Sequence, residues 1–321
     1  MRIEPAMKGL TDIPGIRVGH VSDYDALTGC TAILCEGGAI GGVDIRGSAT
    51  GTEETPTLDP GHVTPQVHAI LLAGGSAFGL EAASGVRRYL ERRGIGYDTG
   101  AAKVPIVPAA ILYDLGIGKA GVRPTMAMGE AAAAAATTDT VKEGCAGAGT
   151  GATVGKILGM RQAMKSGIGS FTVTLPGDVM VSSLVAVNAF GDVRDPATGK
   201  IVAGARSSPT SRDFIDTVER MKRVPPAGLG GRNTTLAVVA PNARLTKVQA
   251  RKLAEQASLG MARSIYPVNT MFDGDIVFAL SLGDRAADVN TLGVAAAEAV
   301  SAAILRAVKF AKTMGGVPGL G

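Results

Sequence analysis

Between Gly228 and Ala240 the chain reads GLGGRNTTLAVVA. Three glycines bracket one leucine and mark a loop. Thr235, Leu236, Val238 and Val239 then favour a pleated strand. Two threonine hydroxyls therefore stand where a loop becomes a strand, directly after Asn233. A hydroxyl so placed can attack the carbonyl just before it, form an ester and let water cut the chain. The threonine freed in this way carries nucleophile and base on one residue, because its α-amine titrates near ~8.

The other reactive residues leave room for this chemistry by being poorly arranged for their own. His20, His62 and His68 are the only histidines, with no shared metal-binding helix spacing and no Gly-x-Ser-x-Gly elbow. Cys30, Cys35 and Cys145 are odd in number and lack zinc or Cys-x-x-Cys spacing, which argues against a disulfide framework and a metal site. GCAGAGTGATVGK, Gly144 to Lys156, resembles a phosphate loop. Its glycine spacing fails, and Ile157 stands where a Ser or Thr would hold magnesium. A tightly packed or ligand-facing turn is the better expectation. Asp273-Gly274-Asp275 lacks the later ligands of a calcium loop, and two acids across one glycine on a strand entry point to the same side. The residues call for no cofactor and no metal.

The elements that must hold these residues alternate between strand and helix. Strand-like runs are IRVGHV, TAILCE, VHAILLAGG, VPIVPAAILYD, SFTVTL, SSLVAVNAFGDV, TTLAVVA and DIVFALSL. Helical patterns cover Ser76–Gly94, closing at Gly94, and Thr210–Arg223, capped by Thr210 or Ser211 with Asp213 in the first turn. Two more start near Thr246 and Asp284. Asp195–Asp213 reads as a weakly packed connector. The alternation is too irregular for simple βαβ units, so layers of mixed sheet covered by helices fit best. With 321 residues, 46% hydrophobic, the chain can bury a large core. Its 45 glycines and lack of Trp suggest closely approaching layers. A net charge of +4 with scattered basic residues gives no nucleic-acid surface. No membrane span is expected, because Glu298 and Arg306 interrupt the apolar C-terminal run. MRIEPAMKGLTDIPG lacks the apolar core of a signal peptide, so a cytoplasmic protein is expected.

TDIPGIRVGH, LLAGGSAFGLEAASGV, LVAVNAFGDV, NTTLAVVA and FDGDIVFALS, in that order, span nearly the whole chain. Together they resemble the L-aminopeptidase/D-esterase and β-peptidyl aminopeptidase family of self-cleaving N-terminal-nucleophile hydrolases. The resemblance implies an α/β (α+β) four-layer αββα sandwich with a topology distinct from the better-known N-terminal-nucleophile fold. It implies one domain, 1–321, that processes itself into 1–233 and 234–321 and assembles as a homo-oligomer, a tetramer or larger. Thr234 matches the nucleophile, Asn233–Thr234 the scissile bond and Asn188 an amide of the oxyanion hole. Asp273 and Asp275 match a pair written Ser-Gly-Glu in the best-studied peptidases. Tyr113 matches a tyrosine at the reacting group. Ile111 stands where an acid for a substrate ammonium is expected. The implied activity is aminopeptidase-like hydrolysis of a small peptide or amide through an acyl-enzyme, and a threonine nucleophile also fits the branch with a pantetheine-amide hydrolase. Two alternatives stay open: acyl transfer of the ornithine acetyltransferase type, and a non-catalytic assembly protein that keeps the fold.

Overall fold

The computed structural model describes residues 8–224 and 233–321. The glycine loop at 228–232 lies outside the described residues. Strands β1 (Arg17–Asp23), β2 (Thr28–Ile45), β3 (Gly51–Glu53), β4 (Val67–Ala73) and β5 (Ala109–Ile111) occupy the first part of the chain. Helices α1 (Glu81–Arg92) and α2 (Met126–Ala134) belong with them. Strands β6 (Ile168–Leu175), β7 (Val179–Asn188), β8 (Thr234–Pro241) and β9 (Ile276–Ser281) follow, with α3 (Lys247–Ser264) and α4 (Val289–Lys309). The hydrogen-bonded order is β6-β7-β8-β9-β2-β4-β5-β3, with β1 also on β2. The 18-residue β2 links two sheets. Its first part pairs with β1 and β4, as in Cys30↔Ala73, and its last part with β9, as in Ile45↔Ile276.

The alternation of side chains sorts these strands into layers. On β8, Leu236 and Val238 face the inter-sheet core with Ile33, Ile70, Leu72, Leu184 and Phe278. Ala237 and Val239 face the other way, toward Leu253, Ala257, Val300 and Ile304 of α3 and α4. The outer face of the β2–β4 sheet receives Ala82, Val86 and Leu90 of α1 and Ala132 of α2. The result is the four-layer αββα sandwich that the resemblance implied. The near-continuous apolar run of β8 follows from burial on both faces. Helix α4 is apolar and long enough to cross a membrane by length and composition, yet 67% of its apolar window is buried inside the fold.

Several local features differ from the sequence reading. GGAIGGVDI extends β2 to Ile45, although its glycines suggest a loop. A Cβ at Gly42 would lie 2.4 Å from the Ala250–Arg251 backbone, so the glycine lets α3 lie close on the strand. The alanine-rich α2 was not anticipated. The helix expected from Thr210 or Ser211 begins only at Thr217, where Asp216 caps the Val218 and Glu219 N–H groups. The expected connector is partly built in: Ile201–Ala203 pairs with Asp192–Arg194, and Ala203 and Ala205 are fully buried. Thr246 does cap α3, in a reciprocal box with Gln249.

Two registers bring the reactive residues together. Antiparallel pairing of β7 and β8 sets Asn188 opposite Thr234. Parallel pairing of β8 and β9 continues back to a bridge between Asn233 and Asp273. The end of β7 and the beginnings of β8 and β9 therefore meet at one edge of the sandwich.

Candidate active site

Thr234 is buried, with its Oγ1 donating to the Asn233 carbonyl oxygen at 2.5 Å. The same carbonyl accepts the Gly274 N–H at 2.8 Å. A Cβ at position 274 would stand 2.7 Å from Thr234 Oγ1 and 2.6 Å from the Ala49 carbonyl oxygen, so only glycine fits without displacement. Asp275 lies on one side of this bond. Its Oδ1 accepts the Thr235 N–H at 2.6 Å and its Oδ2 the Asn269 N–H at 2.9 Å. Asp273 accepts the Phe190 N–H on Oδ1 at 3.1 Å and the Thr270 hydroxyl on Oδ2 at 2.5 Å.

Both carboxyls are buried, and burial raises both above the ordinary carboxylate range. For Asp275 the charge of Asp273 adds to burial and pushes the group up to about 7. Hydrogen bonds from Thr270 and Phe190 and the amine of Lys156 oppose the rise at Asp273. Two carboxyls so close and so buried titrate as a pair, and their shared rise lets the pair keep a proton toward neutrality.

A second cluster stands across β7. Lys156 is buried, and its Nζ donates to the Asn188 side-chain oxygen at 2.7 Å and to the Asn188 backbone oxygen at 3.0 Å. The Thr153 N–H also reaches Asn188 Oδ1, at 3.1 Å. Asn188 Nδ2 donates to the Tyr113 backbone oxygen at 2.9 Å. Burial brings Lys156 down to about 7, although Asp273, Asp114 and Asp275 all pull it upward.

A cavity of about 180 Å³ opens beside this cluster, with Tyr113, Thr153, Lys156, Phe190 and Asn233 in its wall. Neither Asn188 nor Thr234 lines it. Asn188, expected to face the oxyanion, instead grips Lys156, Thr153 and Tyr113 from behind. In the continuous chain Asn233 stands between Thr234 and the cavity. The structure thus brings all six named positions (Tyr113, Asn188, Asn233, Thr234, Asp273 and Asp275) to one edge and divides them into two groups.

Sequence reasoning passed over Lys156 and the Gly274 N–H. The lysine was visible as the end of the glycine-rich run, whose rejected nucleotide spacing drew attention from the ligand-facing turn itself. Backbone donors such as Gly274 carry no side-chain signature. Ile111 faces away from the cavity, into the core against α1 and α2. Asp114, three residues on, is the acid that reaches the cavity wall.

Comparison with known proteins defines the class. The fold matches a β-aminopeptidase of Burkholderia sp. with a TM-score of 0.70 at 23% identity, covering 100% of this chain and 94% of that one. It also matches the L-aminopeptidase D-Ala-esterase/amidase of Ochrobactrum anthropi, described as a variant of the Ntn-hydrolase fold. There the TM-score is 0.71 at 20% identity, with 97% and 88% coverage. In sequence, the chain is 40% identical to an uncharacterized aminopeptidase of Mycobacterium tuberculosis, over 97% of this chain and 96% of the relative. It is 34% identical to a 6-aminohexanoate-oligomer endohydrolase of Kocuria sp., over 93% of this chain and 85% of the relative. Fold and relatives define a peptide or amide hydrolase. The family model of peptidase family S58 matches residues 8–320, and the chain belongs to that family.

Proposed function

We propose that the chain cuts itself between Asn233 and Thr234 and then uses Thr234 as an N-terminal nucleophile on amide substrates. The observation that carries this reading is the Thr234 hydroxyl at 2.5 Å from the Asn233 carbonyl oxygen, with the Gly274 N–H on that same oxygen.

In self-cleavage, Oγ1 attacks the Asn233 carbonyl carbon and the Gly274 N–H receives the developing oxyanion. The C–N bond breaks, and the hydroxyl proton ends on the Thr234 nitrogen, which becomes an amine. Water then hydrolyses the ester and leaves a carboxylate on Asn233. Departure of Asn233 opens Thr234 to the cavity. In turnover, the neutral amine takes the hydroxyl proton as Oγ1 attacks the substrate carbonyl, and passes it to the leaving amine. Lys156, in the cavity wall, supplies N–H donors to the substrate oxyanion, with Asn188 and Thr153 fixing its direction. Two ionised carboxylates beside the amine would hold it protonated. A proton kept by the Asp273–Asp275 pair weakens that pull.

Intact mass of the denatured protein tests the reading. Wild type should give fragments 1–233 and 234–321, and Thr234→Ala a single uncut chain without amidase activity. A Thr234→Ala chain that still cuts at the same bond, or still hydrolyses amides, refutes it.

A further inference from the structure

We propose that the cavity beside Thr234 accepts the acyl part of the substrate and selects an uncharged aliphatic group, not an aminoacyl group with a free ammonium. This rests on the Thr234 reading and deepens it.

The walls carry the argument. Ile117, Met160, Phe190 and Tyr113 line the cavity, and Ile117 and Met160 are backed by Leu27, Met314 and Val317. Since a single water needs only ~10–15 Å³ of comparable space, about 180 Å³ admits a short alkyl chain. Transfer of that chain from water onto these walls favours binding in proportion to its apolar area.

Among the described residues, one acid and one base reach the wall, Asp114 and Lys156. An incoming ammonium would need a carboxylate facing it. Asp114 is 4% exposed and already committed: Oδ2 accepts the Thr28 hydroxyl at 2.7 Å and Oδ1 the Gly75 N–H at 2.7 Å. Burial also raises this carboxyl and favours its neutral form. Lys156 meets an ammonium with like charge whenever it is protonated. An ammonium bound here would lose its water and gain no counter-charge.

Gly116 lines the cavity between its apolar walls. A Cβ there would meet Met160 Cγ and Tyr113 Cε1 at ordinary van der Waals distance, 3.9 Å from each, so a side chain at this position is tolerated by the wall. A branched side chain at 116 fills the region an alkyl tail would use.

The experiment measures kcat/KM of the self-cleaved protein on four p-nitroanilides: acetyl, hexanoyl, 6-aminohexanoyl and L-leucyl. Hexanoyl is expected to exceed L-leucyl at least tenfold and 6-aminohexanoyl several-fold. In Gly116→Val the hexanoyl-to-acetyl ratio should fall at least tenfold, a ratio that partial loss of folded enzyme leaves alone. Preference for L-leucyl anilide, or an unchanged ratio in Gly116→Val, overturns the proposal. Mass analysis of the 234–321 fragment during turnover separates the two levels. An acyl adduct together with leucyl preference sinks only the pocket assignment. No adduct from any anilide, with hydrolysis persisting in Thr234→Ala, sinks the nucleophile and the pocket together.

Discussion

On the acid side of Thr234, all four carboxylate oxygens of Asp273 and Asp275 accept a hydrogen bond, three of them from backbone N–H groups. On the lysine side, Lys156 makes its two bonds to a single residue, Asn188, and borders an open, largely apolar cavity. The acid side is fixed by main chain at Thr235 of β8, at Phe190 just after β7 and at Asn269 in the segment that leads to β9. The lysine side keeps one amine, bonded only to Asn188, that can exchange partners when a carbonyl oxygen arrives. The difference suggests a division of labour. In the proposed self-cleavage the Gly274 N–H and Asp275, through the Thr235 N–H, position the Asn233–Thr234 bond. Lys156 and its supports handle what comes afterwards.

The sharpest way to break this division is Lys156→Met. The proposed self-cleavage, which relies on the Gly274 N–H and not on the lysine, should go to completion, while amide turnover should fall roughly 10²–10³-fold. Asn188→Ala should cost turnover roughly a hundredfold through the same lysine. If so, the double variant is little worse than Lys156→Met alone. Fully additive losses in kcat/KM would return Asn188 to direct contact with the substrate.

A middle-sized effect is expected from Asp275→Asn. Cleavage should persist and turnover fall about tenfold, the worth of one hydrogen bond to a charged group of ~1.5 kcal/mol. The pH profile gives the sign. With Asp275 pushed up to about 7, its ionisation above neutrality raises the pKa of the nearby amine. Replacing it with an uncharged amide lowers that pKa, so the acidic limb of kcat/KM should move to lower pH. Because Asp273 and Asp275 titrate together, the wild-type limb belongs to the group and not to one residue. A limb that stays in place would detach Asp275 from the amine.

Such experiments bear on how much the sequence could reveal. The pair Thr234–Thr235 was legible as hydroxyls at a loop-to-strand junction, and the family resemblance, not the local pattern, singled out Thr234. Asp273 and Asp275 were legible because the spacing across one glycine is a strand spacing. Asn188 was legible as a position but not as a role, since the register of β7 against β8 decides what its amide touches. Lys156 depends on Gly147–Gly155 folding back so that its amine reaches Asn188, which no local pattern encodes. The glycines of β2 and the alanines of α2 carry no strand or helix signal of their own for one reason: small residues serve close packing between layers here, and that demand is tertiary.

The smallest expected effect concerns Tyr113. The contact seen is from its backbone oxygen to Asn188, while its ring forms cavity wall. Tyr113→Phe keeps both, so turnover should fall no more than about fivefold, the worth of one ordinary hydrogen bond of ~1 kcal/mol. A loss of a hundredfold or more in kcat would make the phenol a participant in the chemistry.

Strand β2 runs through both sheets, pairing with β1 and β4 along one part and with β9 along the other. Neither sheet can therefore shed its inner face while the other stays whole, because each would lose a strand it shares. The consequence is one of cooperativity. The sandwich has no seam between its halves, and a break in the chain at the mouth of β8 severs one covalent link while leaving that common strand in place.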